Sequence, residues 1–167
     1  MEKLWSPWRS KYIESFKNDS DEKKCIFCAM SDYDPDDDNN LVVDQAIHTF
    51  TVLNLYPYNN GHLMVVPKKH TSEFTELNEI ELSEVMKKLQ SAQIALTQVV
   101  NPHGFNIGAN IGKVSGAGID EHIHFHIVPR WNGDTNFMPV IGEVKVISQD
   151  LLETKNKLIQ AYKQLSL

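Results

Sequence analysis

The sequence predicts a single α+β domain built on an antiparallel sheet, and three observations lead there. A chain of 167 residues, 41% hydrophobic and 23% charged, makes one soluble core of ordinary size, with no room for a second independent core. Strand-like segments gather between Leu41 and Pro67 and again between Phe105 and Val128, instead of alternating one by one with helices as a parallel sheet requires. A long helical stripe after Asn78 and a shorter one near the C-terminus supply apolar faces that can cover such a sheet.

Each element has its own local reason. Ser6-Pro7 reads as an N-cap followed by proline at the first helical position, and Trp8, Tyr12, Ile13 and Phe16 fall on one stripe, which predicts a short amphipathic helix. Ser31 to Asn40 holds five aspartates but lacks the central glycine and terminal glutamate of a calcium-binding EF-hand loop, so it reads as a solvated acidic loop. Ile47, Thr49, Thr51 and Leu53 belong to an extended run. Tyr56 to Gly61 supplies a turn, and His62 to Val66 returns as the second arm of a hairpin. Asn78 with Glu81 three residues later forms a capping arrangement ahead of Leu82, Val85, Met86, Leu89, Leu96 and Val99, a stripe of about six turns that stops at Asn101-Pro102. Phe105 to Ile111 is a further strand, Gly112 to Gly118 a glycine loop, Ile123 to Val128 a strand stopped by Pro129, and a last helix starts after Ser148. Residues 1–40 thus form an N-terminal arm, 41–130 the core, and 131–167 a C-terminal extension with its helix.

Composition narrows the function. A net charge of −6 argues against a nucleic-acid groove, which needs a basic face, but leaves room for a locally positive pocket that takes a small anion. No apolar run approaches the ~20 residues that span a bilayer, so no membrane association is expected. The opening MEKLWSPWRSKYIES lacks the apolar stretch of a signal peptide. A cytoplasmic location is the expectation. Two cysteines are too few for a disulfide scaffold, and the Cys25-x-x-Cys28 spacing suits either a metal or a redox role.

The chemistry concentrates in His122-Ile-His124-Phe-His126. Strand alternation would line three imidazoles along one face over ~13 Å, with Ile123, Phe125 and Ile127 buried behind them and the imidazoles facing an opening. Such a row can hold a metal, or it can act on phosphorus. Neutral imidazole carries no charge to be repelled by phosphate oxygens and can form an N–P bond that a second acceptor breaks. A glycine loop just upstream offers backbone N–H groups to phosphate.

Gly61-His62 to Pro67-Lys68 together with His122 to Arg130 resembles the histidine triad (HIT) superfamily of nucleotidyl hydrolases and transferases. Leu4-Trp5-Ser6-Pro7-Trp8-Arg9, Cys25-Ile26-Phe27-Cys28, Ser115 to Asp120 and Gly133 to Pro139 are similar to its diadenosine tetraphosphate phosphorylase-like bacterial branch. The resemblance implies a five-stranded antiparallel sheet with helices on one side, and a homodimer or higher homo-oligomer with a continuous sheet. It implies His124 as nucleophile on the α-phosphorus, His126 on the phosphate oxygens and His62 lining the same pocket. Asn54 would hold the ribose, although asparagine before Tyr-Pro also starts turns by itself. Asn110, with Asn106 as the alternative, would supply the amide before the loop, and Ser115, Gly116, Ala117 and Gly118 the phosphate cradle.

Cysteine-containing members take zinc ligands at the positions of Cys25, Cys28, His70 and His122, which implies a structural zinc, no organic cofactor, and at most a divalent cation accompanying the substrate. The implied partners are a nucleotide and inorganic phosphate. The rival readings are a purine nucleoside phosphoramidase, a dinucleoside polyphosphate hydrolase, and a zinc-containing nucleotide-binding module without catalysis.

Overall fold

Strands β1 (Val42–Gln45), β2 (Thr49–Leu53), β3 (Leu63–Pro67), β4 (Gly104–Ala109) and β5 (Phe125–Arg130) form one five-stranded antiparallel sheet in the order β1-β2-β3-β5-β4. The computed structural model describes residues 25–115, 117–134, 147 and 149–165, and the helix expected around Trp8 to Phe16 lies outside them. Three α-helices accompany the sheet among the described residues: α1 (Ile26–Met30), α2 (Glu79–Val100) and α3 (Leu151–Gln164). None of these is long and apolar enough to cross a membrane.

Helix α2 begins where the sequence places it. Asn78 accepts from the backbone of Ile80 and Glu81 while the Glu81 carboxylate accepts from Asn78 N–H at 2.9 Å, a complete capping box. It ends at Asn101, whose left-handed φ of 43° closes the last turn. Its buried line runs through Val85, Leu89, Ala92, Ala95 and Leu96. Met86, expected on that line, is 60% exposed, because Ala92 and Ala95 bring the helix close to the sheet along a line rotated away from it. Helix α3 starts at Leu151 and is capped by Asp150, whose side chain accepts from Glu153 N–H.

Both helices cover one face of the sheet, where Leu53, Leu63, Val65 and Ile127 meet Leu89, Leu96 and Leu158. The opposite face is covered by the arm: Cys25 and Phe27 pack with Val42, Phe50, Val52, Met64 and Val66. Ile47, expected inside a strand, sits 81% exposed at the β1–β2 turn, which Ala46 N–H closes by donating to Thr49 O. The expected solvation of the acidic loop is incomplete as well. Lys155, fully buried in α3, donates to the carbonyls of Asp37 and Asn40 at 2.6 and 2.9 Å and ties the loop to the helix layer. Burial lowers the Lys155 pKa, opposed by the surrounding aspartates.

A tight turn delivers His62 to the sheet. Gly61 has φ +72°, and a Cβ there would stand 2.9 Å from Leu96 Cδ2, so the β2–β3 connection needs glycine immediately before His62.

Candidate active site

The histidines gather on the arm-covered face of the sheet. Strand β5 begins only at Phe125, so His122 and His124 precede it and the expected strand from Ile123 is shorter at its start. Ile123 N–H donates to Thr71 O instead of entering the ladder. Alternation nevertheless persists, with Ile123 and Ile127 buried behind and the three imidazoles in front.

Hydrogen bonds to groups of fixed polarity settle the ring tautomers. The His122 carbonyl can only accept, so His124 Nδ1–H donates to it at 2.9 Å, and neutral His124 carries its free lone pair on Nε2. Tyr58 N–H can only donate, so His62 Nδ1 accepts from it at 3.0 Å, with Asn54 Nδ2 also 3.3 Å away. His62 Nε2–H therefore donates to His126 Nδ1 at 2.9 Å. That leaves the proton of His126 on Nε2, which is buried and has no hydrogen-bond partner among the described residues. A lone pair on His124 and a free N–H on His126 thus stand on rings whose centroids are 4.8 Å apart.

These imidazoles do not face an open cleft as expected: His124 and His126 are 4% and 8% exposed. Phe27 packs on His124 at 4.9 Å between centroids, and the half-exposed Tyr58 leans over His62 and His126 at 4.7 and 5.8 Å. Burial lowers the pKa of His124, and burial with the neighbouring His124 pushes His126 down to about 4. Both rings are neutral at pH 7.

A second constellation adjoins the first. Cys25 Sγ lies 3.3 Å and Cys28 Sγ 3.6 Å from His122 Nδ1, and Cys28 Sγ lies 3.3 Å from His70 Nδ1. All four ligand atoms fall within 4.8 Å of one another. A tetrahedral zinc with Zn–S and Zn–N bonds of usual length separates its ligands by ~3.4–3.8 Å, so this donor set fits one. His122 Nε2–H donates to Pro67 O at 2.8 Å, which leaves Nδ1 unprotonated and turned to the sulfurs. Burial and the adjacent Cys25 push the Cys28 thiol up to about 11.

The remaining expected residues are placed less decisively. Asn54 Oδ1 accepts from Tyr56 N–H at 2.9 Å, the turn-forming geometry. Gly108 pairs with His126 across β4–β5, so Asn106 and, one step beyond the strand end, Asn110 lie on the histidine face. Asn106 accepts from Arg130 Nη1 at 2.7 Å, whereas Asn110 falls level with His124 by continuation of the register. Ser115 is exposed and its hydroxyl donates back to Gly112 O at 2.6 Å. Ala117 is half-buried, Gly118 is exposed, and Gly116 lies outside the described residues. His48 sits in the β1–β2 turn, and His103 Nδ1 accepts from Asn132 N–H at the surface.

Sequence reasoning missed Phe27 as the wall behind His124 and the Tyr58 N–H as the donor that orients His62. An aromatic inside the Cys25-x-x-Cys28 pair, and an aromatic four residues before His62, were the available signals.

An antiparallel five-stranded sheet thus carries a tautomer-locked histidine cluster near its centre. A family model described as the HIT domain matches residues 37–133, and the chain belongs to this family. It is 40% identical over 161 residues to the AP-4-A phosphorylase of Mycobacterium tuberculosis, covering 95% of this chain and 83% of that protein. It is 26% identical over 108 residues to the adenosine 5'-monophosphoramidase hnt1 of Schizosaccharomyces pombe, covering 65% and 75%. Among solved structures, a zinc-bound histidine triad family protein from Mycobacterium smegmatis superposes with a TM-score of 0.66 at 26% identity, covering 84% of this chain and 94% of that one.

Proposed function

We propose that this protein transfers the adenylyl group of a diadenosine polyphosphate, diadenosine tetraphosphate first among them, to inorganic phosphate by way of His124. The observation that carries this reading is the pairing of an unprotonated His124 Nε2 with an unsatisfied His126 Nε2–H. The lone pair attacks the α-phosphorus, an N–P bond forms, and the P–O bond to the β-phosphate breaks to release ATP. A phosphate oxygen then attacks the same phosphorus, the N–P bond breaks, and ADP leaves. His126 Nε2–H donates to an oxygen that gains charge as phosphorus becomes five-coordinate, and His62 keeps that proton on Nε2. Asn54 serves the ribose, Asn110 a phosphate oxygen beside His124, and the backbone of Ser115, Gly116, Ala117 and Gly118 cradles the polyphosphate. The 40% identity to an AP-4-A phosphorylase supports the choice of substrate and of phosphate as acceptor.

In the same proposal Cys25, Cys28, His70 and His122 hold one structural zinc that cross-links the arm to the segment leading into β5. With four protein ligands it leaves no open position for substrate. Edge strand β4, whose Ile107 is 51% exposed, is the surface through which two copies pair into a continuous sheet. The protein works in the reducing cytoplasm, where such cysteines stay available to metal.

The test is the product ratio from diadenosine tetraphosphate with and without phosphate. Phosphorolysis gives ATP and ADP in equal amounts and needs phosphate. AMP plus ATP at a phosphate-independent rate would assign a hydrolase. Cleavage of adenosine 5'-monophosphoramidate alone would assign a phosphoramidase, and no turnover of either would leave a binding module.

A further inference from the structure

We infer that Asn59 and Asp134, two residues outside the histidine cluster, are positioning residues that fix the proton of His126 on Nε2, through the Tyr58 N–H and His62. The chain of contacts is continuous. Asp134 closes the turn after β5 by donating its N–H to Trp131 O at 3.1 Å, a turn that Gly133 permits with φ +77°. Its carboxylate is buried and holds Arg130 in a fork, accepting from Nε at 2.7 Å and Nη2 at 2.8 Å. The same carboxylate accepts from Asn59 Nδ2 at 2.8 Å, and that amide also donates to Pro129 O at 3.1 Å. Both contacts grip the tip of the β2–β3 connection against the end of β5.

The neighbouring residue carries the functional bond. Tyr58 N–H donates to His62 Nδ1 at 3.0 Å, the shorter of two donors on that nitrogen, Asn54 Nδ2 lying 3.3 Å away, and together they leave the His62 proton on Nε2. Other hydrogen bonds of the connection lie on either side of it: Tyr56 N–H to Asn54 Oδ1, Asn54 N–H to His62 O, and His62 N–H to Asn59 O. Should residue 59 swing away, Tyr58 N–H would lose its line to the ring. With only the longer Asn54 Nδ2 contact left on that nitrogen, His62 could then protonate Nδ1 and turn its bare Nε2 toward His126. His126 would answer by moving its own proton to Nδ1, because two bare nitrogens at 2.9 Å repel. The N–H available to substrate would vanish, and a lone pair would face the phosphate oxygens in its place.

The inference rests on the adenylyl-transfer reading for its kinetic arm only. The experiment uses the full chain as purified, labelled with ¹⁵N-histidine, as wild type and as Asn59→Ala, Asp134→Asn and Arg130→Lys, the last being the mildest change should a stronger one fail to fold. In two-bond ¹H–¹⁵N spectra near pH 7.5, wild-type His62 and His126 both give the pattern of an Nε2–H tautomer. In the variants the two nitrogen resonances of His126 converge as tautomers mix, while His124 keeps its Nδ1–H form. With diadenosine tetraphosphate, kcat falls on the order of tenfold to a hundredfold and KM changes far less, the scale of a misplaced catalytic group. Variants that melt at lower temperature but keep the Nε2–H pattern and a near wild-type kcat would overturn the inference, because that is what a merely structural clamp does. A shifted tautomer in a protein whose wild type turns over no dinucleotide would leave the clamp standing and remove the substrate reading.

Discussion

The two faces of the sheet are built on different terms. Toward α2 and α3 the contacts are aliphatic: Leu53, Leu63, Val65 and Ile127 against Leu89, Leu96 and Leu158. Toward the arm, Phe27, Phe50 and Met64 share their face with His62, His122, His124 and His126, and every ring of that group is nearly or fully buried. The helix face needs volume and apolarity, which many side chains supply. The histidine face needs a specific nitrogen protonated at each position, so its residues are tied to particular carbonyls and N–H groups.

The largest separation of the two is expected from His124→Ala. Turnover should fall by at least about a thousandfold, since the proposed covalent transfer would lose its nucleophile, while nucleotide binding is largely retained. Rapid quenching of the wild type with radiolabelled substrate should trap an adenylylated histidine that the variant lacks. A variant that kept more than a small fraction of the rate would take the nucleophile away from His124.

Metal removal should affect both faces on the proposed zinc reading, because His122 stands two residues from His124 and the arm carries Phe27. Elemental analysis of protein purified without added metal should find close to one zinc per chain, and Cys28→Ser should lose it together with several degrees of melting temperature. Unchanged stability in verified metal-free protein would sink the structural role. Leu96→Ala, on the helix face, should cost about 2–5 kcal/mol by denaturant unfolding yet leave kcat near wild type at permissive temperature. A large kcat loss there would mean that the faces are not separable.

The smallest effect is one of pH. His126 is held at about 4 in the fold against an ordinary 6.5, so between those values the unfolded chain binds the extra proton and the folded one does not. Its contribution to stability is fully present above about pH 6.5 and is lost as pH falls toward 4. Denaturant midpoints measured across pH 4–8 should decline on the acid side, and His126→Asn should flatten that decline. An equal slope in the variant would assign the acid lability to other groups.

Local chemistry was legible in the sequence wherever it is decided within a few residues. The Asn78/Glu81 capping box, the turn at Tyr56 to Gly61 and the alternating histidines all appear in the structure where the pattern put them. The five-stranded antiparallel sheet agrees with the one that the family resemblance implied, while its order β1-β2-β3-β5-β4 comes from the structure alone. The failures share a cause. Met86 satisfies the helical period but loses its place to the approach allowed by Ala92 and Ala95. Lys155 has a surface residue's chemistry, yet it is buried because carbonyls of a loop more than a hundred residues away receive its ammonium group.

By itself, the sequence determined the α+β class and the histidine face, because period and capping are properties of short segments, whereas the four-residue zinc set came only from the family resemblance. Only the tertiary structure decided which nitrogen of each imidazole carries a proton. That choice depends on the Tyr58 N–H, the His122 carbonyl and the Pro67 carbonyl, backbone groups that every residue but proline offers alike and that acquire meaning only when folding aims them at a ring.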